Sequence, residues 1–144
     1  MPLIAYMDQS VFKIYMSDVG LLGAKSDLPA VSVIDGNRIF TEFKGALTEQ
    51  FVAQELRAAG FTLYYYSTEN SDGEIDFVIQ HGDHIIPLEV KAEENLRAKS
   101  LRAYCSKYSP DEAIRTSMSD YRKEEWMTNV PLYVLTEYMK KRKY

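Results

Sequence analysis

The sequence predicts an α/β fold in which helices pack against a mixed central β-sheet. An amphipathic helix is followed by three apolar segments of strand length, then by a second amphipathic helix and a further short apolar segment. This order of helix, three strands, helix and strand is typical of domains in which helices cover a sheet. With 144 residues, the chain is long enough to bury one sizeable core and too short to suggest two.

The helices are predicted from apolar spacing and from the residues that begin or end them. Asp18 is expected to cap a short helix that starts at "VGLL", and "VFKIYM" before it predicts a short strand. Residues 26–40 are turn-rich and predict a loop with room for a short helix. In residues 41–61 an apolar stripe predicts the first long helix, and Gly60 is placed to end it. The stripe consists of Leu47, Phe51, Val52, Leu56 and Ala59.

The strands and the second long helix follow from shorter patterns. "FTLYYYS" predicts a strand, and the polar turn "TENSDG" separates it from a β-hairpin in residues 73–91. Residues 95–108 predict a helix that carries Leu101 and Tyr104 on one face and ends before Pro110. "EAIRTSMS" predicts a further strand. The segment "VPLYVLTEYMKK" is ambiguous between strand and helix because its apolar run is short.

Charge and composition exclude several classes of protein. A formal net charge of -4 argues against a protein that coats nucleic acid nonspecifically, although a local basic patch remains compatible with it. The single cysteine, Cys105, permits no internal disulfide, and no Cys/His cluster has zinc-ligand spacing. No apolar run approaches the roughly 20 residues that span a bilayer, and the N-terminus lacks a signal-peptide pattern. We therefore expect a soluble cytoplasmic protein with no membrane partner.

The hairpin carries four charged residues at the end farthest from its turn. If the central "GD" of "HGDH" forms a two-residue type II′ loop, Asp76 lies opposite Glu89 and Glu74 lies opposite Lys91. Side chains alternate along a strand, so these four would share one face of the hairpin, unless a bulge changes the pairing. The opposite face would then be apolar: Ile75, Phe77, Ile79, Ile86, Leu88 and Val90.

Two carboxylates that lie directly opposite each other destabilise a hairpin unless something compensates for their repulsion. Lys91 could bridge Asp76 and Glu89, one carboxyl group could keep its proton, or a divalent cation could bind between them. Mg²⁺ favours oxygen ligands and usually takes one or two protein carboxylates. A lysine beside such an ion could orient a nucleophilic water, so the cluster has the parts for phosphodiester hydrolysis. A structural charge cluster is the alternative.

The spacing of Asp76, Glu89 and Lys91 resembles the D-x(n)-E-x-K signature of the PD-(D/E)XK nuclease superfamily. The segments "FKIYMSDVGLLGA", "KGALTEQFVAQEL", "GEIDFVI" and "PLEVKAEENLRAKSL" resemble the nuclease-like C-terminal domain of bacterial and archaeal AAA-type ATP-binding proteins, a family of undefined function. The resemblance implies a restriction-endonuclease-like core that binds Mg²⁺ or Mn²⁺. It implies Asp76, Glu89 and the backbone carbonyl of Val90 as metal ligands. It also implies Lys91 as the catalytic lysine and Glu49 as an acid on the first helix.

The same resemblance implies a division of the chain and a missing module. Residues 1–25 would be a connecting segment from an absent N-terminal ATPase module, and residues 26–144 the nuclease-like domain. No G-x-x-x-x-G-K-[ST] motif occurs, so we expect no ATP site in this chain. The signature's proline is replaced by Ile75, directly before the first acid.

Two functions from different classes are compatible with these residues. The first is a Mg²⁺-dependent nuclease, and the second is a catalytically weak or inactive module that binds nucleic acid or protein for the attached ATPase. Each candidate residue also has a structural interpretation: Glu49 as a boundary residue of its helix, and Glu74 with Lys91 as an exposed ion pair. A basic stripe after the hairpin could contact phosphates or simply face water: Arg97, Lys99, Arg102 and Lys107.

Overall fold

The computed structural model describes residues 2–27, 29, 31, 38–68, 73–92 and 98–142. Its helices are α1 (Val19–Lys25), α2 (Arg38–Ala58), α3 (Lys99–Tyr108) and α4 (Leu135–Lys141), with short 3₁₀ helices at Leu3–Tyr6 and Leu132–Val134. Its strands are β1 (Leu63–Ser67), β2 (Glu74–His81), β3 (His84–Val90), β4 (Ile114–Ser117), β5 (Arg122–Lys123) and β6 (Thr128–Pro131). Within the described parts of the chain, no helix combines the length and apolarity needed to cross a bilayer.

The strands form one mixed sheet in the order β1-β2-β3-β4-β6-β5. Strand β2 pairs antiparallel with β1 and β3, whereas β4 pairs parallel with β3 and β6. The predicted α/β class, with a mixed sheet flanked by helices, is therefore confirmed, and so is the order α2, β1, β2, β3, α3, β4. Beyond this order the sheet gains β5 and β6. The ambiguous C-terminal segment holds both structures, since β6 ends at Pro131 and α4 begins at Leu135.

The core consists of two apolar clusters, one on each face of the sheet. The larger cluster joins α2 and α4 to the sheet through Val52, Ala53, Leu56, Phe61, Phe77, Ile79, Ile86, Leu88, Ile114, Val130, Leu135 and Met139. The smaller cluster lies under α3 and contains Ile75, Val78, Ala98, Leu101, Ala113 and Met127. The sheet is thus covered on both faces, as buried apolar strands require.

Two predicted helix boundaries are confirmed, and one predicted strand is wrong. The Asp18 side chain caps α1 by accepting hydrogen bonds from two backbone N–H groups of its first turn, at 2.8 and 3.2 Å. Gly60 follows α2 with a φ of 89°, which a residue without Cβ adopts at little cost. Residues 11–16, all described, form no strand. The reason is that the backbone of Met16 pairs with the side-chain amide of Gln50 on α2. Most of the predicted loop at 26–40 lies outside the described residues.

Candidate functional site

The turn end of the β2–β3 hairpin has the predicted geometry. His81 and His84 face each other across a two-residue loop. Gly82 has a φ of 62°, while Asp83 is not among the residues of positive φ, as a type II′ turn requires. The ladder continues regularly from this turn to the pair Phe77 and Leu88. The predicted register is therefore confirmed over this part of the hairpin.

The open end of the hairpin departs from the prediction because β2 carries a bulge. The pairing of β1 with β2 shifts between Tyr64 and Tyr66, so that Asp76 and Phe77 together occupy the space of one residue. The bulge interrupts the alternation of side chains: Phe77 packs in the cluster under α2, whereas Ile75 packs in the cluster under α3. The prediction that these two share a face is thus wrong.

The bulge leaves the Asp76 carboxylate facing the backbone of β3. Its Oδ2 accepts a hydrogen bond from the N–H of Val90 at 2.7 Å. The regular ladder ends at Phe77 and Leu88, so it does not extend to the predicted pair Asp76 and Glu89. Burial raises the pKa of the Asp76 carboxyl to about 6, although the hydrogen bond from Val90 opposes the increase. The negative charge of Glu49 adds to the increase.

Glu89 and Lys91 lie together at the end of β3, as their spacing predicts. The Glu89 side chain is buried, and its Oε1 lies 2.5 Å from Nζ of Lys91. Its Oε2 is also buried and has no hydrogen-bond partner among the residues that the structure describes. A buried carboxylate oxygen without a partner is costly, which is the situation that a bound cation relieves.

Glu49 faces this region from α2 but is held by two residues from the N-terminal segment. Its Oε1 accepts hydrogen bonds from the Tyr15 hydroxyl at 2.6 Å and from Lys13 Nζ at 3.0 Å. Lys13 also forms an ion pair with Glu74. The ion pairs observed are therefore Glu74 with Lys13 and Glu89 with Lys91, in place of the expected pair of Glu74 with Lys91.

The pKa values of Lys13 and Tyr15 both shift in this cluster. Partial burial lowers the pKa of Lys13, but hydrogen bonds to Glu74 and Glu49 outweigh burial and raise it above its ordinary value. Burial, together with the bond to Glu49, also raises the pKa of Tyr15. Lys13 is therefore a firmly protonated cation between two carboxylates. The only signal for Lys13 in the sequence is that it lies two residues before Tyr15 in a segment that the sequence predicts to be a strand, which would place both side chains on one face.

Arg115 is a second residue that sequence reasoning missed. It pairs with Glu89 across the β3–β4 ladder and with Asn129 across the β4–β6 ladder. Its Nε donates a hydrogen bond to Asn129 Oδ1 at 2.9 Å, and Nη2 lies 3.7 Å from Glu124 Oε1. Burial lowers the pKa of Arg115, and the charge of Glu124 opposes this. A buried polar row thus crosses the sheet beside Glu89.

A cavity of about 1250 Å³ lies between the N-terminal segment, α2 and β1, and Asp76 and Lys13 both line it. The connected charges are four carboxylates and two ammonium groups, from Glu49, Glu74, Asp76, Glu89, Lys13 and Lys91. When all six are ionised, their sum is -2.

The donor set fits a hard divalent cation that is held by few protein ligands. Within the described ranges, no three His, Cys, Asp or Glu side chains are grouped closely enough to form a metal site. Mg²⁺ needs only one or two carboxylates and completes its shell with water and phosphate oxygens. Asp76 and the unpartnered oxygen of Glu89 are compatible with that requirement.

Comparison with known proteins yields a match to a protein family. Neither the curated proteins nor the solved structures include one with significant similarity to this chain. The sequence model of DUF4143, described as a domain of unknown function, matches residues 44–135. This range is well over half of the chain, and it includes Glu49, Asp76, Glu89 and Lys91 but not Lys13. The chain therefore belongs to the DUF4143 family.

Proposed function

We propose that this chain is a nuclease-like domain that hydrolyses phosphodiester bonds of nucleic acid with Mg²⁺ or Mn²⁺. The observation that carries the proposal is the arrangement around Glu89. Its buried Oε2 has no partner among the described residues, and Lys91 contacts its other oxygen. The Asp76 carboxylate is bonded to the next residue of β3, Val90. We further propose that the domain is the C-terminal part of an AAA-type ATP-binding protein.

The topology supports a restriction-endonuclease-like core. Helix α2 is followed by three antiparallel strands, then by α3 and by β4, which pairs parallel with β3. This order is similar to that of the core of the PD-(D/E)XK superfamily. Because one fold can host many functions, the topology supports the fold assignment, and the activity rests on the site.

The proposed roles follow from the donor chemistry. Asp76, Glu89 and the carbonyl of Val90 would hold the ion, which when bound polarises a phosphoryl oxygen and lowers the pKa of a bound water. Lys91 lies at the end of β3 with its ammonium beside Glu89, where it would hold the attacking water or balance developing charge. Glu49 would assist from α2.

One observation favours the alternative, a module that binds a protein partner and has little turnover. The N-terminal segment exposes large apolar side chains, with Tyr6 70%, Phe12 71% and Ile14 83% exposed. Tyr6 and Phe12 line the same cavity, and exposed apolar groups that form a contiguous patch are typical of interaction sites. Glu89 and Lys91 do not belong to this segment, so the two functions make different predictions about variants of these two residues.

A cleavage assay tests the proposal. Labelled single- and double-stranded DNA and RNA are incubated with Mg²⁺ or Mn²⁺ and with wild type, Lys91→Ala or Glu89→Gln. The control is Lys140→Ala, which removes an exposed lysine from an ion pair on α4. We expect both site variants to lose at least about 100-fold in rate, since each removes a charge that acts in the transition state, and the control to match wild type.

Folding of every variant is verified by circular dichroism before its activity is compared. Cleavage that persists in both site variants would assign the activity to other residues. Absence of cleavage by wild type, together with absence of Mn²⁺ binding in calorimetry, would reject the enzyme in favour of the interaction module.

A further inference from the structure

The N-terminal segment is fixed on α2 by a row of glutamine side chains. The buried Gln50 amide donates to the carbonyl of Met16 and accepts from its N–H, both at 2.8 Å. One turn further along α2, Gln54 accepts from the N–H of Val19 at 2.8 Å. These bonds involve the backbone of the segment, so they position its side chains without using them. The segment therefore holds Lys13 at a defined place.

The Lys13 ammonium group is surrounded by side chains of the kind that bind cations. Its Nζ contacts carboxylates from two different elements, Glu49 on α2 and Glu74 on β2. It also lies 5.3 Å from the centre of the Tyr65 ring, within the range of a cation–π interaction. The side chains of Lys13 and Glu49 are only 24% and 27% exposed. The pair is therefore shielded more than an ordinary surface ion pair, and its interaction is stronger.

We propose that Lys13 is a built-in cation that determines how many divalent ions the site takes. Its ammonium satisfies Glu49 and Glu74, and this restricts the site to one divalent ion at Asp76 and Glu89. The inference rests on the proposed function, and it adds that Lys13 is a specificity-determining residue for metal. Enzymes that cleave phosphodiesters with two metals place two cations side by side. Here Lys13 would supply the positive charge of the second cation.

The charge balance explains why Lys13 matters for the metal. With Lys13 present, the six connected groups sum to -2 when all are ionised, which one divalent ion neutralises. Without it, the sum becomes -3, and Glu49 and Glu74 both lose their cation. Two neighbouring carboxylates without a counter-ion repel each other and favour a bound cation. Removal of Lys13 should therefore strengthen metal binding, whereas removal of a lysine that contacts only substrate should leave metal binding unchanged.

Isothermal titration calorimetry with Mn²⁺ as the probe tests this inference, and it requires no activity. Wild type is compared with Lys13→Met, Lys13→Arg and the control Lys140→Met. We expect wild type to bind one ion and Lys13→Met to bind a second or to bind Mn²⁺ at least about 10-fold more tightly. Lys13→Arg keeps the cation, so it should behave as wild type does. Lys140→Met should also bind Mn²⁺ as wild type does, because Lys140 pairs with Glu137, far along the chain from Lys13.

Three results separate this inference from the proposed function. If wild type binds one ion and Lys13→Met binds Mn²⁺ with the same stoichiometry and affinity, the proposed role of Lys13 is overturned and the metal-dependent enzyme remains supported. Two ions in wild type overturn the inference in the same way. No Mn²⁺ binding by wild type or by Lys13→Met overturns both. If thermal unfolding shows that Lys13→Met is not folded, Lys13→Gln, which keeps a hydrogen-bond donor without the charge, replaces it under the same criteria.

Discussion

The two ends of the β2–β3 hairpin belong to the same strands but differ in how regularly those strands pair. At the turn end, the ladder from His81 and His84 to Phe77 and Leu88 is regular. At the open end, a bulge at Asp76 and the adjacent Phe77 interrupts the pairing with β1, and a carboxylate replaces a carbonyl as the acceptor for β3. The apolar residues of the turn end pack in the core, whereas the charged residues lie at the open end.

The difference shows which forces act at each end. The turn end is stabilised by apolar burial, which is nondirectional and is greatest when apolar side chains alternate regularly towards the core. The open end retains a carboxylate whose pKa is raised by burial, and a buried oxygen of Glu89 without a partner in the described chain. Such features cost stability, and proteins retain them mainly at functional sites.

The largest expected effect is at the turn end, where the core is densely packed. Ile79 is fully buried in the cluster under α2. Ile79→Ala removes its apolar contacts and leaves a cavity, so we expect the free energy of unfolding to fall by about 2–5 kcal/mol. Chemical denaturation measures this. The control Ile14→Ala, at a residue 83% exposed, should change stability by less than about 0.5 kcal/mol. Equal losses in the two variants would contradict the assignment of the core.

The second effect is at the open end and has the opposite sign. The pKa of Asp76 is about 6 in the folded protein against 3.8 ordinarily, so the folded state binds the proton more tightly than the unfolded chain. The contribution of Asp76 to stability is therefore greatest below its ordinary pKa of 3.8 and is lost as pH rises through the window from about 4 to 6. Above this pH window, the ionised Asp76 carboxylate lowers the free energy of unfolding by at most about 3 kcal/mol. Asp76→Asn removes this cost while its side-chain oxygen can still accept from Val90.

We expect Asp76→Asn to be more stable than wild type by about 2 kcal/mol at pH 8, with the gain shrinking towards pH 5. Denaturation in guanidinium chloride at several pH values measures this difference. Glu125→Gln, a change at an exposed carboxylate, is the control and should leave the stability nearly unchanged. A variant that is less stable than wild type at pH 8 would show that the Asp76 carboxylate stabilises the fold, and a difference that is constant with pH would show that folding does not raise its pKa.

The same contrast explains how far the fold could be predicted. Helix α2, its end at Gly60 and the loop at Gly82 depend on neighbouring residues, so their patterns are visible in the sequence. The bulge depends on how β1 pairs with β2 and therefore has no local signature. Strand β5 has only two residues and is paired to β6, so no period could reveal it.

The candidate site divides in the same way. Glu89 lies on β3 and Lys91 directly follows the strand, two residues further along, so their contact follows from the alternation of side chains. Lys13 reaches Glu49 from 36 positions away, and that contact depends on the glutamine side chains that hold the N-terminal segment. Arg115 was missed because its burial depends on the neighbouring strands β3 and β6.

The smallest expected effect tests whether the turn sets the register of the whole hairpin. Gly82 has a φ of 62°, a conformation that costs a residue with Cβ about 1 kcal/mol, so Gly82→Ala should lower stability by about that amount. Gly45→Ala is the matched control, because Gly45 lies inside α2 with open space around an added Cβ. It should raise stability by about 0.5–1 kcal/mol. Denaturation curves of the two variants should therefore shift in opposite directions.

Mn²⁺ binding by Gly82→Ala shows whether the turn also controls the open end. A loss of stability in Gly82→Ala that also abolished Mn²⁺ binding would mean that the turn determines the geometry of the open end. Unchanged binding would mean that the bulge and the N-terminal segment hold that end independently, as the contacts of Asp76 and Glu49 lead us to expect.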